Sequence, residues 1–422
     1  MSKLEKLIQQ YCPDGVEWKT FSEVFETITD YTAAGSFKNI ADNVQYLKVP
    51  DYAMLIRTTD LKSNFIKGGF IYVSESAFNY LWRVNMDKEC IVMPNVGNCG
   101  EIYYVQPKDL PYEHCALAPN AILVRSNTQN NRYLSYCLQV EDFQKQLKKI
   151  TSPVGQSKFN KSELKKLVLP IPPLPVQEEI VRVLDAFTEL QAELQAELQK
   201  RKQQYNYYRD NLLTNFTPEQ APKEYTLGEV TVDIYSGATP SKEKREYWVN
   251  GTIPWMSSGE VNLGQVYEVE GRITQLGYDK CSTKMVPEGS VVIALAGQGK
   301  TRGTVAILRT SVCTNQSLAA LVPQKEIVSG EYLYYYLKTQ YAKLREVSAG
   351  DGTRGGLNLK MLRAYKVVIP SHKAQDQIVA ILDRFDTLTN DLTSGLPAEM
   401  EKRRQQYEYY RDKLLTFKRK GA

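Results

Sequence analysis

The residues whose types and spacing first suggest chemistry form the stretch Ala294-Leu-Ala-Gly-Gln-Gly-Lys-Thr301. With alanine allowed at its first position, this stretch matches a nucleotide-binding phosphate loop, and a strand-like apolar run precedes it. Such a loop must open a helix, because the N-terminal N–H groups of that helix bind the phosphates. The following residues, RGTVAILRTSV, are instead typical of a strand. We therefore favour a β-hairpin loop with a basic tip formed by Lys300 and Arg302.

Other reactive groups are sparse. The chain has only two histidines, His114 and His372, which argues against a His-rich metal centre. Its seven cysteines include no C-x-x-C pair, which indicates reduced thiols and a cytoplasmic protein. No apolar run reaches 18 residues, and no methyltransferase signature of the Asn/Asp-Pro-Pro-Tyr type occurs. We therefore expect no catalytic residues, no metal and no cofactor.

Three polar loops carry the side chains best suited to bind nucleic acid. They are TSPVGQSK from Thr151, TPSKEKREYW from Thr239 and SAGDGTRGG from Ser348. Their Lys, Arg, Gln and Ser side chains could contact phosphates or base edges. The alternative for any one of them is an ordinary solvated loop. Thr151 and Ser348 lie 197 positions apart, at equivalent places in an internal repeat.

The repeat covers the whole chain. QEEIVRVLDAF begins at Gln177 and QDQIVAILDRF at Gln375, and QQYNYYRDNLL at Gln203 is matched by QQYEYYRDKLL at Gln405. Weaker matches, such as RYLSYCL from Arg132 with EYLYYYL from Glu331, extend upstream of each pair. Short apolar runs between turn residues indicate strands, so each globular half is predicted to be α+β. The chain therefore duplicates a globular domain followed by a long helix.

The two long helices are marked by apolar residues at heptad spacing. About 40 residues at 1.5 Å each give the first helix a length of roughly 60 Å. In the second, Gly395 and Pro397 should kink or break the helix. The helix–helix contacts are predicted to involve Ile180, Leu184, Phe187, Leu194, Leu198, Ile378, Leu382, Phe385 and Leu392. We expect the helices to pack on each other as an antiparallel pair; the alternative is that each packs only on its own domain.

The charge distribution limits how tightly the chain alone could hold nucleic acid. The formal net charge is +5, and residues 398–422 contain eight basic and four acidic side chains. The rest of the chain is almost neutral. Sequence-independent DNA binding depends on many phosphate-facing cations. A DNA-binding role would therefore need a partner that contributes part of the contact.

With these motifs, the chain resembles the DNA-specificity (S) subunit of Type I restriction–modification systems over essentially its whole length. The repeated helix motifs carry the likeness, together with WMSSGEVN from Trp255 and TRGGLNLKML from Thr353. The resemblance implies an α+β fold with two target-recognition domains, separated by two long antiparallel helices that form a coiled-coil spacer. Each domain would read half of a bipartite site on double-stranded DNA. The helices would bind two methyltransferase subunits, restriction subunits would join them, and the S subunit itself would have no catalytic role.

The resemblance also suggests boundaries and a spacer mechanism. The expected segments are residues 1–173 for the first recognition domain, 174–217 for the central helix, 218–371 for the second domain and 372–418 for the C-terminal helix. The motif QAEL occurs in tandem at Gln191 and Gln195. In the family, such four-residue repeats would set the length of the unread spacer.

Base-reading residues cannot be transferred by motif, so we chose them by loop position and chemistry. The predicted DNA contacts are Gln156, Lys158, Lys242, Arg245, Lys300, Arg302 and Arg354. Two other functions remain open. A scaffold that bridges two proteins without reading bases would show the same helices. A nucleotide hydrolase would need Lys300 and Thr301 to bind phosphate.

Overall fold

The computed structural model describes residues 3–152, 157–297, 301–349, 356–390 and 394–421. The chain divides into two compact units. Unit 1 comprises residues 1–193 and 400–422, and unit 2 comprises residues 194–399. Each unit therefore contains one globular domain and parts of both long helical segments.

The α-helices and strands are numbered here in chain order. The helices are α1 (Lys3–Tyr11), α2 (Phe21–Val24), α3 (Phe37–Asn43), α4 (Thr58–Lys62), α5 (Glu75–Tyr80), α6 (Asn131–Cys137), α7 (Glu141–Ile150), α8 (Lys161–Leu164), α9 (Leu174–Thr214), α10 (Leu227–Val230), α11 (Gln275–Asp279), α12 (Gly330–Thr339), α13 (Tyr341–Ala349), α14 (Leu359–Arg363), α15 (His372–Asn390) and α16 (Leu396–Leu414). The strands are β1 (Glu17–Thr20), β2 (Thr27–Asp30), β3 (Ala53–Ile56), β4 (Ile71–Val73), β5 (Cys90–Pro94), β6 (Tyr103–Val105), β7 (Cys115–Leu117), β8 (Ala121–Arg125), β9 (Val168–Ile171), β10 (Lys223–Thr226), β11 (Thr231–Ser236), β12 (Ile253–Met256), β13 (Gln265–Val266), β14 (Arg272–Ile273), β15 (Met285–Val286), β16 (Val291–Ala294), β17 (Val305–Leu308), β18 (Val312–Thr314), β19 (Leu318–Pro323) and β20 (Lys366–Ile369).

The domain of unit 1 is built on an antiparallel sheet with strand order β2-β8-β5-β6. A second sheet has the order β4-β3-β7, in which β3 and β7 run parallel. Side chains alternate between the two faces of a strand. In β5, Ile91 and Met93 join the cluster that includes Tyr133 of α6, whereas Cys90 and Val92 join the cluster that includes Leu55 of β3. Because both faces of β5 are buried, its sequence is a continuous apolar run.

Unit 2 repeats this arrangement. Its main sheet has the order β11-β19-β16-β17-β13, and its second sheet has the order β14-β12-β18-β15 with β12 and β18 parallel. In β16, Val291 and Ile293 belong to one core cluster, and Val292 and Ala294 belong to another. The mixed α+β fold and its internal duplication, both expected from the sequence, are confirmed.

Both domains connect to their helices through a short antiparallel ribbon. In unit 1 β1 pairs with β9, and in unit 2 β10 pairs with β20. Helix α9 is continuous over 41 residues. The C-terminal segment ends one helix at Asn390 and starts the next at Leu396, so the break expected from Gly395 and Pro397 is confirmed. None of the helices described above is long and apolar enough to cross a membrane.

Candidate nucleic-acid interface

The start of α9 is fixed to the domain of unit 1 by the side chain of Gln177, which is fully buried. Its Oε1 accepts a hydrogen bond from the backbone N–H of Asn130, at 3.1 Å. Its Nε2 donates to Gln129 Oε1 at 2.8 Å and to the carbonyl of Pro172 at 2.7 Å. Asn130 in turn caps α6, because its Oδ1 accepts from the N–H of Tyr133. The glutamine that opens the repeated motif therefore joins the long helix to a helix cap.

The second copy of the repeated motif, in unit 2, has an equivalent set of hydrogen bonds. Gln375 is also fully buried, and its Oε1 accepts from the N–H of Ser329, which caps α12. Its Nε2 donates to the carbonyls of Ile327 and Pro370. Buried amide groups are costly when unpaired, so these hydrogen bonds favour one orientation of each helix on its domain. Equivalent glutamines thus position equivalent helices.

An aspartate about two turns further along the helix provides a second attachment. Asp185 accepts hydrogen bonds from the Tyr136 hydroxyl and, at 2.8 Å, from Arg132 Nε. In unit 2 Asp383 accepts from the Tyr335 hydroxyl at 2.6 Å. Burial and the hydrogen bond to the carboxylate raise the pKa of each tyrosine above its usual value. Both phenols therefore remain donors at neutral pH.

The long helices also contact each other within each unit. In unit 1 Phe187 of α9 stacks on Tyr410 of α16, with ring centroids 5.5 Å apart. In unit 2 Phe385 of α15 packs against Tyr205 and Tyr208 of α9, at 6.3 and 5.6 Å. These contacts contradict the alternative in which each helix packs only on its own domain.

The predicted helix–helix residues differ in what they contact. Ile180 and Leu184 are buried in the core of unit 1, and Ile378 and Leu382 in the core of unit 2. The remaining described positions are partly buried or buried on the helices: Phe187, Leu194, Leu198 and Phe385. Leu392 lies outside the described residues. The role of this set as a spacer stays a prediction.

Where they are described, the predicted DNA-binding loops lie near corresponding ends of the two main sheets. In unit 1 this edge holds the end of β2, the end of β5 and the start of β8, where Asp30 pairs with Ile122 and Pro94 with Ala121. In unit 2 the end of β11, the end of β16 and the start of β19 meet in the same way. The strand ends that form each of these edges are distant in sequence, and the fold brings them together.

Lys158 lies at this edge in unit 1. Its side chain is exposed, and its backbone forms a bridge with Val96, two residues after β5. Asn160 begins α8 two residues later, because its Oδ1 accepts from the N–H of Glu163 at 2.9 Å. Asn358 caps α14 in the same way. The expected equivalence of these two loop-to-helix transitions is thus confirmed.

Lys242 and Arg245 lie in the segment that follows β11, and both are exposed. The loop is held from beneath by aromatic side chains. Trp248 Nε1 donates to the carbonyl of Ser241 at 3.0 Å, and Trp248 packs edge-on against Trp255 with centroids 5.2 Å apart. Lys242 and Arg245 are therefore exposed to solvent on a loop whose conformation is stabilised by Trp248.

Arg302 belongs to the turn that joins β16 to β17. These strands are antiparallel neighbours, and the residues after Thr301 form a strand. The predicted hairpin is confirmed, and the helix that a phosphate-binding loop requires is absent from residues 301–308. Arg302 is half-buried, and its carbonyl accepts from Arg345. The other predicted contacts, Gln156, Lys300 and Arg354, lie outside the described residues.

A cleft of about 1050 Å³ opens at the same edge of unit 1. It is lined by residues 30–32, 37 and 40–46, by Ser74 and Ser76, and by residues 95–96 and 119–121, which follow β5 and lead into β8. Arg57 does not line this cleft. Its guanidinium forms a bidentate ion pair with Asp60 at the start of α4. Within the described residues, no group of His, Cys, Asp and Glu side chains is arranged to hold a metal ion.

The family model for the Type I restriction modification DNA specificity domain matches residues 13–201 and 221–402. The chain belongs to this family. Each matched segment contains one copy of the duplicated plan, with its sheet edge, its buried glutamine and the helix that follows.

Similar proteins span the chain to different extents. The Type I restriction enzyme EcoR124I/EcoR124II specificity subunit of Escherichia coli is 40% identical over 260 residues, which cover 60% of this chain and 63% of that relative. The chain thus matches less than two thirds of that relative's length. The S subunit structure from M. genitalium aligns with a TM-score of 0.54 and 16% identity over 95% of this chain and 96% of the other. The HsdS subunit of Thermoanaerobacter tengcongensis gives a TM-score of 0.50 and 17% identity, and it covers 96% of both chains.

Several residues that hold the long helices on their domains were not identified from the sequence. Gln177 and Gln375 could have been found, since the same polar residue opens both copies of the helix motif, and a buried polar group is expected to be hydrogen-bonded. Asp185 and Asp383 recur in the same way.

Proposed function

We propose that this chain is the sequence-specific DNA recognition subunit of a Type I restriction–modification complex. The observation that carries the proposal is the duplication of one loop-bearing sheet edge in a chain of the specificity family. One such edge in each domain suits a bipartite site on double-stranded DNA, with one half read by each domain. Base edges specify the sequence, and phosphate contacts fix the register.

The exposed cations support this reading. Lys158 in unit 1 and Lys242 and Arg245 in unit 2 project from the edges that carry the predicted loops. Arginine and lysine can pair with guanine or with phosphate oxygens. Gln156, Lys300, Arg302 and Arg354 complete the proposed DNA contacts. The small net charge of +5 implies that the methyltransferase subunits supply much of the phosphate contact.

The long helices are proposed to set the spacer and to bind two methyltransferase subunits, with restriction subunits joining the full complex. Tyr205 and Tyr407 are buried, whereas the neighbouring Tyr207 and Tyr409 are 66% and 61% exposed. Because the same exposed tyrosine recurs in both copies of the motif, two copies of one partner could bind equivalent surfaces. Tyrosine is enriched at protein interfaces.

The domain boundaries proposed for this role are residues 1–173, 174–217, 218–371 and 372–418. The chain itself would contribute recognition and no catalysis, so no cofactor is assigned to it. Its free cysteines, namely Cys12, Cys90, Cys99, Cys115, Cys137, Cys281 and Cys313, suit a cytoplasmic complex.

The proposal is tested by mapping DNA methylation in cells that express this chain with its methyltransferase partner. A bipartite adenine-methylated motif with a fixed spacer is the expected result. The double variant Lys242→Ala, Arg245→Ala should weaken methylation, while Lys223→Ala, an exposed lysine in the ribbon strand β10, should not.

The contrary outcome is equally specific. If an active methyltransferase binds the chain but neither methylates a bipartite motif nor protects DNA, the chain is a scaffold that does not read bases. DNA protection is measured with the purified complex, so that an inactive partner is distinguished from a scaffold.

A further inference from the structure

The cleft of unit 1 contains a buried hydrogen-bond acceptor that no described residue satisfies. Asn95 lies directly after β5, in the wall of the cleft. Its N–H donates to the carbonyl of Asn120 at 3.2 Å, and its carbonyl accepts from the N–H of Phe159 at 3.2 Å. Its side-chain Oδ1 is buried, and among the described residues it has no donor. The backbone is fixed on both sides, and no described donor holds the side-chain oxygen.

An unsatisfied buried acceptor costs free energy comparable to a lost hydrogen bond. Such groups in native structures call for a specific explanation. One explanation is a ligand whose N–H group donates a hydrogen bond to the acceptor. Asn95 occurs where β5 ends, at the edge that carries the proposed DNA-binding loops. The donor that this oxygen lacks would therefore come from DNA.

The charges of the cleft decide which part of DNA fits. Asp30 and Asp42 contribute carboxylates to the lining, and the lining described here includes no Lys or Arg. Asp30 is partly neutralised by Lys161, whose Nζ lies 2.9 Å from its Oδ2. Phosphate groups are anionic and would be repelled by Asp42. A neutral base edge that carries hydrogen-bond donors is compatible with both carboxylates.

Aromatic side chains give the cleft walls that suit a base. Tyr46 donates a hydrogen bond to the Tyr31 hydroxyl at 3.2 Å, and both rings line the cleft. Phe37 also lines it and is 83% exposed, so its ring is accessible to a ligand. Bases stack on aromatic rings, and the thymine methyl group makes apolar contacts.

We propose that Asn95 is a specificity-determining residue, whose Oδ1 accepts a hydrogen bond from the exocyclic amino group of an adenine or cytosine in the half-site read by unit 1. In the major groove, adenine N6 and cytosine N4 are the amino donors. This inference rests on the proposed DNA-reading function and adds a position and a base class to it.

The test is a double-mutant cycle that combines a substitution at Asn95 with a replacement of one base in the DNA and measures binding. The chain is purified with its methyltransferase and bound to duplexes that carry the motif found by methylation mapping. Each adenine is replaced in turn by purine and each cytosine by pyrimidin-2-one, which lack only the amino group. For the wild-type chain, one replacement should weaken binding by about ten-fold through loss of the bond to Asn95. In the Asn95→Ala complex, the same replacement should cause no further loss.

Asn127→Ala is the matched control, because Asn127 is exposed and follows the opposite end of β8. It should respond to every base replacement as the wild type does. If Asn95→Ala does not assemble with the methyltransferase, Asn95→Ser provides the cycle. If the base that couples to Asn95 is an adenine, its N6 amino group is the donor; if it is a cytosine, its N4 amino group is the donor.

The inference is overturned if no amino-group removal weakens wild-type binding, or if the losses in the Asn95 variants equal those in the wild type. Either result leaves the proposed function intact as long as the wild-type complex recognises a bipartite motif. If the wild-type complex recognises no motif, the proposed function itself fails.

Discussion

The buried glutamine at the start of α9 offers a direct test of how the helix is held on its domain. Gln177→Ala removes three hydrogen bonds, with Asn130 N–H, Gln129 Oε1 and the carbonyl of Pro172. The partners remain buried or half-buried in the fold. Each polar group that loses its partner costs about 1–3 kcal/mol when water cannot replace it. Because partial access of water reduces the sum, we expect unit 1 to lose about 2–5 kcal/mol of unfolding free energy.

The change is measured by calorimetry on the complete chain, in which the two units are expected to give separable transitions. For a unit of this size, each kcal/mol corresponds to roughly 2–4 °C in Tm. The transition of unit 1 should therefore fall by about 4–20 °C. Hydrogen exchange gives a local measurement, since the amide of Asn130 should exchange faster in the variant. Gln375→Ala should produce the same pair of effects in unit 2, at the amide of Ser329.

Two neighbouring substitutions serve as controls. Glu178 and Asp376 follow the glutamines directly and are exposed, so Glu178→Ala and Asp376→Ala should change the unfolding free energy by less than about 0.5 kcal/mol. The reasoning is refuted if Gln177→Ala has the same Tm as Glu178→Ala and the Asn130 amide keeps its protection from hydrogen exchange.

Three further predictions concern the spacer, a close backbone approach and the buried phenols. Deletion of Gln195–Leu198 shortens α9 by about 6 Å and rotates it by about 40°, so the preferred DNA spacer should shorten by one or two base pairs; an unchanged spacer in the methylation motif would refute this. Gly237→Ala should lower the unfolding free energy of unit 2 by at least about 1–3 kcal/mol, because a Cβ would stand 1.8 Å from the carbonyl oxygen of Thr314. Gly259→Ala, which meets nothing within 4 Å, should melt like the wild type. Burial raises the pKa of Tyr133 well above its usual value, so its contribution to stability is complete below about pH 10 and is lost as the pH rises further. The tyrosinate absorbance of the buried tyrosines should then grow together with unfolding, and ionisation of all the tyrosines before unfolding would contradict the expectation.

The periodic parts of the fold could be predicted from the sequence because their signals are local. Heptad spacing predicted the long helices, Gly395 and Pro397 predicted the break between α15 and α16, and apolar runs such as Cys90–Pro94 predicted buried strands. The region from Arg132 forms two helices, α6 and α7, because Val140 is extended where the second helix begins.

The amino-acid sequence by itself determined the duplication, the α+β class and the long helices, because these follow from residue type and spacing along the chain. Only the tertiary structure decided which loops share a sheet edge, since β2, β5 and β8 are distant in sequence and meet through strand pairing. It likewise decided that Gln177 bonds to Asn130, 47 residues away, and that the Oδ1 of Asn95 lacks a donor among the described residues. Hydrogen-bond satisfaction depends on neighbours in space, and the order of residues along the chain does not specify those neighbours.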